Sequence, residues 1–462
     1  MTSQINVVIL AAGLGTRMKS KRAKVLHCAG GLALIEHVVA ASSAIAPADH
    51  ATVVVGHQAE QVRELLAPSG VRFVEQTEQK GTGHALLACR ESLVSKPGFV
   101  VVLYGDCPLL APATLSELVR RQTSGKAAAT LITTRLADPT GYGRVVFSEH
   151  GEVQAIVEQK AATPEQLTIP YINSGIYCFQ ADLLWRHLPE ITPDNPAHEY
   201  YLTDIVDILN RAGHSVGAME VENPAELLGI NDRIELAAAD RIFRERKVRE
   251  LMLAGVTIEK PETVTIDAAV RIGADSIVEP FAQILGDTTI GEESLIGACS
   301  IVRDSALAAR VEIAPFTHIV DSEIETGAHI GPFARLRGRA RIGANARIGN
   351  FVELKNTRFG AGAKANHLAY LGDAEIGENA NIGAGTITCN YDGASKHPTH
   401  IGKDAFVGSN STLVAPLEIG DGSYIGAGSV ITDPVPAGAL ALGRARQVIK
   451  EGWAANRKKK KK

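Results

Sequence analysis

The 462-residue sequence predicts an α/β domain with a mostly parallel sheet, joined by one helix to a solenoid built on a six-residue repeat. Three observations carry this. Short β-branched runs alternate with helical stretches up to about residue 230, a charged segment of helical periodicity follows, and beyond Glu262 an aliphatic residue recurs at every sixth position. The chain is long enough for two domains, each with its own apolar core. The expected divisions are 1–230, a linker helix over 231–255, and 256–462.

The runs Val7-Val8-Ile9-Leu10, Thr52-Val53-Val54-Val55 and Val100-Val101-Val102-Leu103 read as strands buried on both faces, with helices on either side of the sheet. In the linker, Ile234, Ala238, Ile242, Val248, Leu251 and Met252 fall at helical spacing, and Gly255 stands where a helix would stop. Downstream, Ile266, Ile272, Val278, Ile284, Ile290, Ile296 and Val302 form one unbroken hexad run. Ile330, Leu336, Ile342, Ile348 and Leu354 form a second, and Ile401, Val407, Leu413, Ile419, Ile425 and Ile431 a third, with Ile376 and Ile382 between them on their own register. Glycine often follows the aliphatic residue, as at Gly273, Gly291, Gly343 and Gly420. A period of six is neither helical nor a plain strand alternation. It fits a triangular coil with one aliphatic inside each flat face and glycine easing the corner. The register slips around Gly360 and again across 386–400, where polar residues predict a loop leaving the coil.

Composition excludes several classes. With 47 basic against 51 acidic side chains, no global field is built for nucleic acid or an anionic bilayer, so neither is an expected partner. The apolar run 7–12 has no basic segment before it and leads straight into Gly13, Gly15 and Arg17, so it reads as a strand and not a signal peptide. No uncharged stretch approaches the ~18 apolar residues that span a membrane. Six scattered cysteines without C-x-x-C spacing fit reduced thiols in a cytoplasm. The basic stretch 457–462 reads as a solvated tail.

Chemistry concentrates in two places. The first strand feeds Ala11-Ala12-Gly13-Leu14-Gly15-Thr16-Arg17, with Lys24 following. Backbone N–H groups of a glycine-rich turn opening a helix cradle phosphate oxygens, and Arg17 and Lys24 would neutralise charge as a phosphoanhydride breaks. The turn is neither a dinucleotide fingerprint nor a Walker A loop. The strand ending Tyr104-Gly105-Asp106 puts a carboxylate at the carboxyl edge of the sheet, a natural Mg2+ ligand, with a second oxygen available from Asn231. Asn231 also suits a helix cap. In the solenoid, Arg337, Glu353, Lys355, Asn366, His367, Tyr370 and the 389–393 loop gather groups that coils do not need. Histidine serves as a base at neutral pH, which makes His367 the candidate to deprotonate an amine attacking a thioester.

Leu10-Ala-Ala-Gly-Leu-Gly-Thr-Arg-Met18, Gln76-Thr-Glu-Gln-Lys-Gly-Thr-Gly-His84, Tyr104-Gly-Asp106, Gly141-Tyr-Gly-Arg144, Glu158, Asn173-Ser-Gly175 and Asn231 stand in the order seen in Rossmann-like sugar-1-phosphate nucleotidyltransferases. The whole chain resembles the bifunctional bacterial N-acetylglucosamine-1-phosphate uridyltransferases that are also glucosamine-1-phosphate N-acetyltransferases. That resemblance implies a left-handed β-helix, a homotrimer, Mg2+, and UTP, acetyl-CoA and a hexosamine-1-phosphate as substrates. By it, Leu10, Ala11, Gly13, Lys24, Gln76, Gly81 and Thr82 would surround the uridine nucleotide, Gly143, Glu158 and Asn173 would read the sugar, and Asp106 with Asn231 would hold the metal. Arg337, Lys355, Tyr370, Asn381, Asn390, Tyr391 and Lys396 match the acetyltransferase site around His367, and Ser409, Ala427 and Arg444 match acetyl-CoA contacts. Two departures stand out: Ser174 where the family commonly has Thr, and Arg22-Ala23 where Leu-Pro is usual. The rival readings are a single-function pyrophosphorylase whose solenoid only assembles, which would lack His367 and the Asn390-Tyr391 excursion, and a scaffold with a degenerate transferase domain, which would tolerate loss of Arg17, Lys24 or Asp106.

Overall fold

The computed structural model describes residues 4–195 and 197–459. They form two compact units that divide between Phe243 and Arg244.

The first unit is built on β1 (Ile5–Leu10), β2 (Ala51–Val55), β3 (Arg72–Glu75), β4 (Phe99–Tyr104), β5 (Ala129–Arg135), β6 (Arg144–Phe147), β7 (Val153–Val157), β8 (Tyr171–Gln180) and β9 (Val216–Glu220). The sheet order is β9-β5-β8-β4-β1-β2-β3. β1 pairs in parallel with both β2 and β4, whereas β8 runs antiparallel between β4 and β5. Alternate side chains of the central strands enter different cores: Val8, Val100 and Val102 on one face, Val7, Ile9, Val53 and Leu103 on the other. Burial on both faces explains why these strands read as continuous apolar runs. The chain leaves β1 toward β2 on one side and returns to β4 on the other. The carboxyl ends of β1 and β4, where Leu10 pairs with Tyr104, therefore form the crevice at which open α/β sheets take ligands.

The helix Arg233–Leu253 lies within the expected 231–255. It is not a bare connector, because Ala239 is buried with Ala29, Leu34 and Leu109 of the first unit. Val248 and Leu251 are buried in the core of the second. Its cap is Asp232, whose Oδ1 accepts from the Ile234 and Glu235 N–H groups. Asn231 is thus spared capping and keeps its side chain for other partners.

The second unit is a three-sided parallel β-helix, with sheets of 11, 10 and 9 short strands. Faces one, two and three are named here for the strands holding Ile348, Leu354 and Ile342 respectively. Ile266 pairs with Ile284 eighteen residues on, which is three hexads. The slips are more frequent than the sequence suggested. Val302 pairs with Ile319, and Ile319 with Leu336, seventeen residues apart. One deleted residue per coil hid Leu307, Ile313, Ile319 and Ile324, all buried in the core, from a strict count of six. The loop expected across 386–400 is present: Ile382 pairs with Val407, twenty-five residues on.

The glycines after the aliphatics have a different task from the expected one. None of Gly273, Gly291 or Gly343 takes a positive φ. A Cβ on Gly343 would lie 2.5 Å from the Ala361 nitrogen and one on Gly297 2.6 Å from the Ile313 oxygen, so glycine is required by close approach of the next coil. The left-handed corner falls two residues later, at non-glycine positions such as Asp275 (φ 60°), Glu293 (φ 56°) and Asn345 (φ 55°). At the end of the chain, Trp453–Lys459 is helical. The remainder of the basic tail, 460–462, lies outside the described residues.

Candidate active sites

At the carboxyl ends of β1 and β4 lies a cavity of about 430 Å³. Leu10, Ala11, Gly13, Lys24, Gln76, Gly81, Thr82 and Asp106 all line it, together with Tyr104, which sequence reading named only within its motif, and with Gln79 and Glu199, which it gave no role. The glycine-rich segment departs from expectation in one respect. It opens only a single 3-10 turn, Thr16–Met18, because Gly15 (φ 61°) and Lys19 (φ 48°) are left-handed on both sides of it. What the segment offers a ligand is therefore turn N–H groups and cations, without a helix dipole behind them.

Four side chains meet beside this cavity. Arg17 Nη2 donates to Asn231 Oδ1 at 2.7 Å, Lys24 Nζ lies 3.3 Å from the same oxygen, and Lys24 pairs with Asp106 Oδ2. Lys24 and Asp106 are both largely buried, at 16% and 15% side-chain exposure, so their pairing is screened less than a surface ion pair. The preceding Ala23 N–H donates to Gln58 Oε1 at 2.7 Å, a bond that proline at this position could not make. The departure from Leu-Pro thus anchors the turn that presents Lys24.

The sugar-reading candidates form a second group. A Cβ on Gly143 would lie 3.4 Å from Glu158 Oε1, and Gly143 O accepts from the Asn173 N–H at 2.9 Å. Asn173 Oδ1 accepts from Tyr177 Oη at 3.0 Å. Burial, and then the neighbouring Asp204 carboxylate, pushes the Glu158 carboxyl above its ordinary range. Ser174 keeps its hydroxyl employed, donating to Ile132 O at 2.7 Å.

Among the described residues, no cluster of three or more His, Cys, Asp or Glu side chains could hold a metal. The donor set nevertheless fits Mg2+. One carboxylate oxygen and one amide oxygen converge on a point that the Lys24 ammonium reaches, and Mg2+ is commonly held by one or two hard protein oxygens, with phosphates and water completing its shell.

On the solenoid, face two carries Arg337, Lys355 and Gly372 in one outward column, paired coil to coil. Tyr370 stands in the next column, paired with Glu353 and Ile387. Glu353 Oε1 holds Arg337 through Nε and Nη2, both at 2.7 Å. A Cβ at Gly372 would collide with Tyr370 Oη and lie 2.9 Å from Asn390 Nδ2, so glycine there leaves room for these two side chains to come together. Tyr391, 60% exposed, and Lys396 bridge the base of the 389–398 excursion. At the opposite edge of the face, His367 is exposed, and its Nδ1 lies 2.8 Å from Asn350 Oδ1.

The edge carrying His367 is a ladder. Asn350 and His367 pair on successive coils. Asn410 N donates to Ala384 O at 2.7 Å and Gly428 N to Ser409 O at 2.8 Å, which continues the column through Ala384, Ser409 and Ala427. With coils ~4.8 Å apart, Ser409 and Ala427 follow His367 along one edge. Arg444 lies exposed beyond the last coil. Asn381 is the exception: it stands on face one, between Lys364 and Phe406, and not with Tyr370. Asn350 and Asp373 were not picked as site residues. The only signal for them was their position one coil from a predicted residue.

No described cysteine forms a disulfide, and no helix among the described residues is long and apolar enough to cross a membrane.

Residues 7–164 match the MobA-like NTP transferase domain family, and residues 269–304 and 398–433 match the bacterial transferase hexapeptide family of six repeats, consistent with the left-handed β-helix the sequence implied. The bifunctional protein GlmU of Solibacter usitatus (strain Ellin6076) is 60% identical over 99% of this chain and 98% of its own length. That of Koribacter versatilis (strain Ellin345) is 49% identical over 98% of each, and that of Anaeromyxobacter sp. (strain Fw109-5) 51% identical over 98% of this chain and 92% of its own. With similarity running through both units, the chain belongs to the family of bifunctional GlmU proteins.

Proposed function

We propose that the chain is a bifunctional transferase: it acetylates glucosamine-1-phosphate with acetyl-CoA, then transfers UMP from UTP to N-acetylglucosamine-1-phosphate, giving UDP-N-acetylglucosamine and pyrophosphate. The observation that carries this is the presence in one chain of two complete charge constellations. Arg17, Lys24, Asp106 and Asn231 adjoin the nucleotide-sized cavity, and Arg337, Lys355 and Tyr370 stand on face two of the solenoid with His367 at the corner where the neighbouring face-one strand ends.

In acetyl transfer, the sugar amine attacks the thioester carbonyl, a C–N bond forms, and the C–S bond breaks to release the coenzyme thiolate. The amide oxygen of Asn350 only accepts, so Nδ1 of His367 carries its proton and Nε2 presents the lone pair that takes the amine proton. Lys355 and Arg337 hold the sugar phosphate, Asn390 and Tyr391 orient the acceptor, and Ser409, Ala427 and Arg444 line the path of the cofactor.

In uridyl transfer, a phosphate oxygen of the sugar-1-phosphate attacks the α-phosphorus of UTP and pyrophosphate leaves. Arg17 and Lys24 neutralise charge as it builds on the phosphates, and Gln76, Gly81 and Thr82 hold the base end. Asp106 and Asn231 would hold Mg2+, which neutralises phosphate oxygens when bound.

The protein is proposed to act as a cytoplasmic homotrimer. Phe316, Phe333 and Phe351 stack at centroid distances of 5.1 and 5.2 Å along the edge that carries His367. They are 54%, 47% and 56% exposed in the single chain, an apolar ridge suited to burial against a second copy. Purified protein given glucosamine-1-phosphate, acetyl-CoA, UTP and Mg2+ releases free thiol and then pyrophosphate. Either product alone would reduce the function to one activity.

A further inference from the structure

At the edge of face two opposite His367, one carboxylate organises the side chains that flank the acceptor region. Asp373 Oδ1 accepts from Asn356 Nδ2 at 2.7 Å, Oδ2 accepts from Asn390 Nδ2, and Lys355 Nζ lies 3.7 Å from Oδ2. Asp373 and Lys355 are 15% and 19% exposed in their side chains, and Asn390 is buried. Asn356 and Asp373 occupy the same left-handed corner on successive coils, at φ 49° and 48°, so the bonds join neighbouring rungs of one column.

We propose that Asp373 is a positioning residue for acetyl transfer, fixing Lys355 and Asn390 in the geometry that receives the sugar phosphate. The inference rests on the acetyl-transfer reading of face two. Asp373 touches neither amine nor thioester in that scheme and acts through the groups it holds. It is also the counter-ion of a like-charged pair. Lys355 depresses the ammonium pKa of Lys396, and Asp373, and after it Tyr370, opposes that effect. Partial burial pushes the Asp373 carboxyl upward, but the amides of Asn356 and Asn390 and then Lys355 and Lys396 outweigh it and hold the group below its ordinary range. The two ammonium groups with one carboxylate leave one positive charge in excess, and a phosphate would balance it. The cavity of about 440 Å³ beside Asp373 adds Arg339, Arg341, Arg358 and Glu375, with His397 and His400. Its further charges are therefore predominantly cationic and do not replace the missing anion.

The test uses the full-length protein and two variants that keep the left-handed corners. Asp373→Asn removes the charge at constant shape, and Asn356→Gly removes one of the bonds that hold Asp373. In Asp373→Asn the KM for glucosamine-1-phosphate rises roughly tenfold or more. The KM for acetyl-CoA stays within about twofold, uridyl transfer from N-acetylglucosamine-1-phosphate is unchanged, and the alkaline limb of the acceptor KM profile moves to lower pH because the lysine pair has lost its counter-ion. Asn356→Gly shows a smaller rise in the same KM. Wild-type thiol release with an unchanged acceptor KM and pH profile in Asp373→Asn would overturn the role of Asp373 alone. Absence of thiol release from the wild type would overturn the acetyl-transfer reading, and the role of Asp373 with it.

Discussion

His367 and Asn350 occupy the same position on successive coils, and the 2.8 Å contact between Nδ1 and the amide oxygen fixes which imidazole nitrogen faces the solvent. In the proposed mechanism, removing the imidazole removes the base, and removing the amide frees the ring to rotate and change tautomer. His367→Ala is expected to abolish thiol release, with uridyl transfer near the wild-type rate. Asn350→Ala is expected to lower kcat for acetyl transfer by roughly 10 to 100-fold, the range of one lost positioning contact. Parallel loss of both activities in a folded His367→Ala protein would contradict the assignment of two independent sites.

The first unit makes the reciprocal prediction. Lys24 is paired with Asp106 and shares Asn231 Oδ1 with Arg17, so Lys24→Ala removes a cation and leaves Asp106 without its closest partner. Uridyl transfer should fall by about 100-fold or more, the scale of one lost charge-stabilising group, while thiol release continues. Asp106→Asn should raise the Mg2+ concentration needed for half-maximal uridyl transfer. A Mg2+ titration at fixed UTP checks this.

Glu158 links pH to stability and, through its proposed role in reading the sugar, to substrate binding. Its carboxyl is held above the ordinary range by burial and by Asp204, so the folded state binds its proton more tightly than the unfolded chain does. The sign follows directly: ionising Glu158 costs stability, and that cost develops as pH rises from the unfolded glutamate pKa through the higher folded one. Glu158→Gln removes the cost. The variant should have a higher Tm than wild type at pH 7, with the difference vanishing below the ordinary glutamate range, and a raised KM for N-acetylglucosamine-1-phosphate. A Tm difference independent of pH would refute the linkage.

Much of this was legible in the sequence because both units repeat a local rule. Buried parallel strands write continuous apolar runs, as at Val100 to Leu103, and the solenoid writes one aliphatic per face. What escaped was set by relations across coils. Leu307, Ile313 and Ile324 fell out of a strict hexad count through single deletions, which a three-sided coil absorbs at a corner. Asp373 and Asn350 lie seventeen residues from their partners Asn390 and His367, a separation that carries no meaning until the coil length is known. The short turn after Gly15 was misread for a related reason. Gly-x-Gly-Thr-Arg suits a helix start, but the left-handed Lys19 closes the turn after three residues, a conformation that lysine does not favour locally.

Assembly can be tested on the aromatic edge. Phe333 lies between Phe316 and Phe351, and a carboxylate in its place would be buried if that ridge packs against another copy. Phe333→Glu should lower the sedimenting mass toward that of a monomer, while uridyl transfer by the first unit persists. An unchanged mass would show that this edge faces solvent.

The glycines of the solenoid give a prediction about stability that separates close approach from backbone conformation. Gly343 has no positive φ, so alanine there meets no conformational penalty, and its Cβ would lie 2.5 Å from the Ala361 nitrogen and 2.9 Å from the Ala361 Cα. Both are backbone atoms of the next coil, tied to this one by the Gly343 N–H to Phe359 O bond at 2.7 Å, so they cannot move away without opening the ladder. Gly343→Ala should therefore cost about 1–3 kcal/mol, the usual scale of overpacking, and lower the denaturation midpoint of the solenoid. Asn345→Gly is the matched comparison at the left-handed corner of the same turn, where φ is 55°. It relieves conformational strain and changes stability by a few tenths of a kcal/mol, the scale of exchanging a tolerated left-handed asparagine for glycine. If Gly343→Ala proved as harmless as Asn345→Gly, the close stacking of successive coils would not be what requires these glycines.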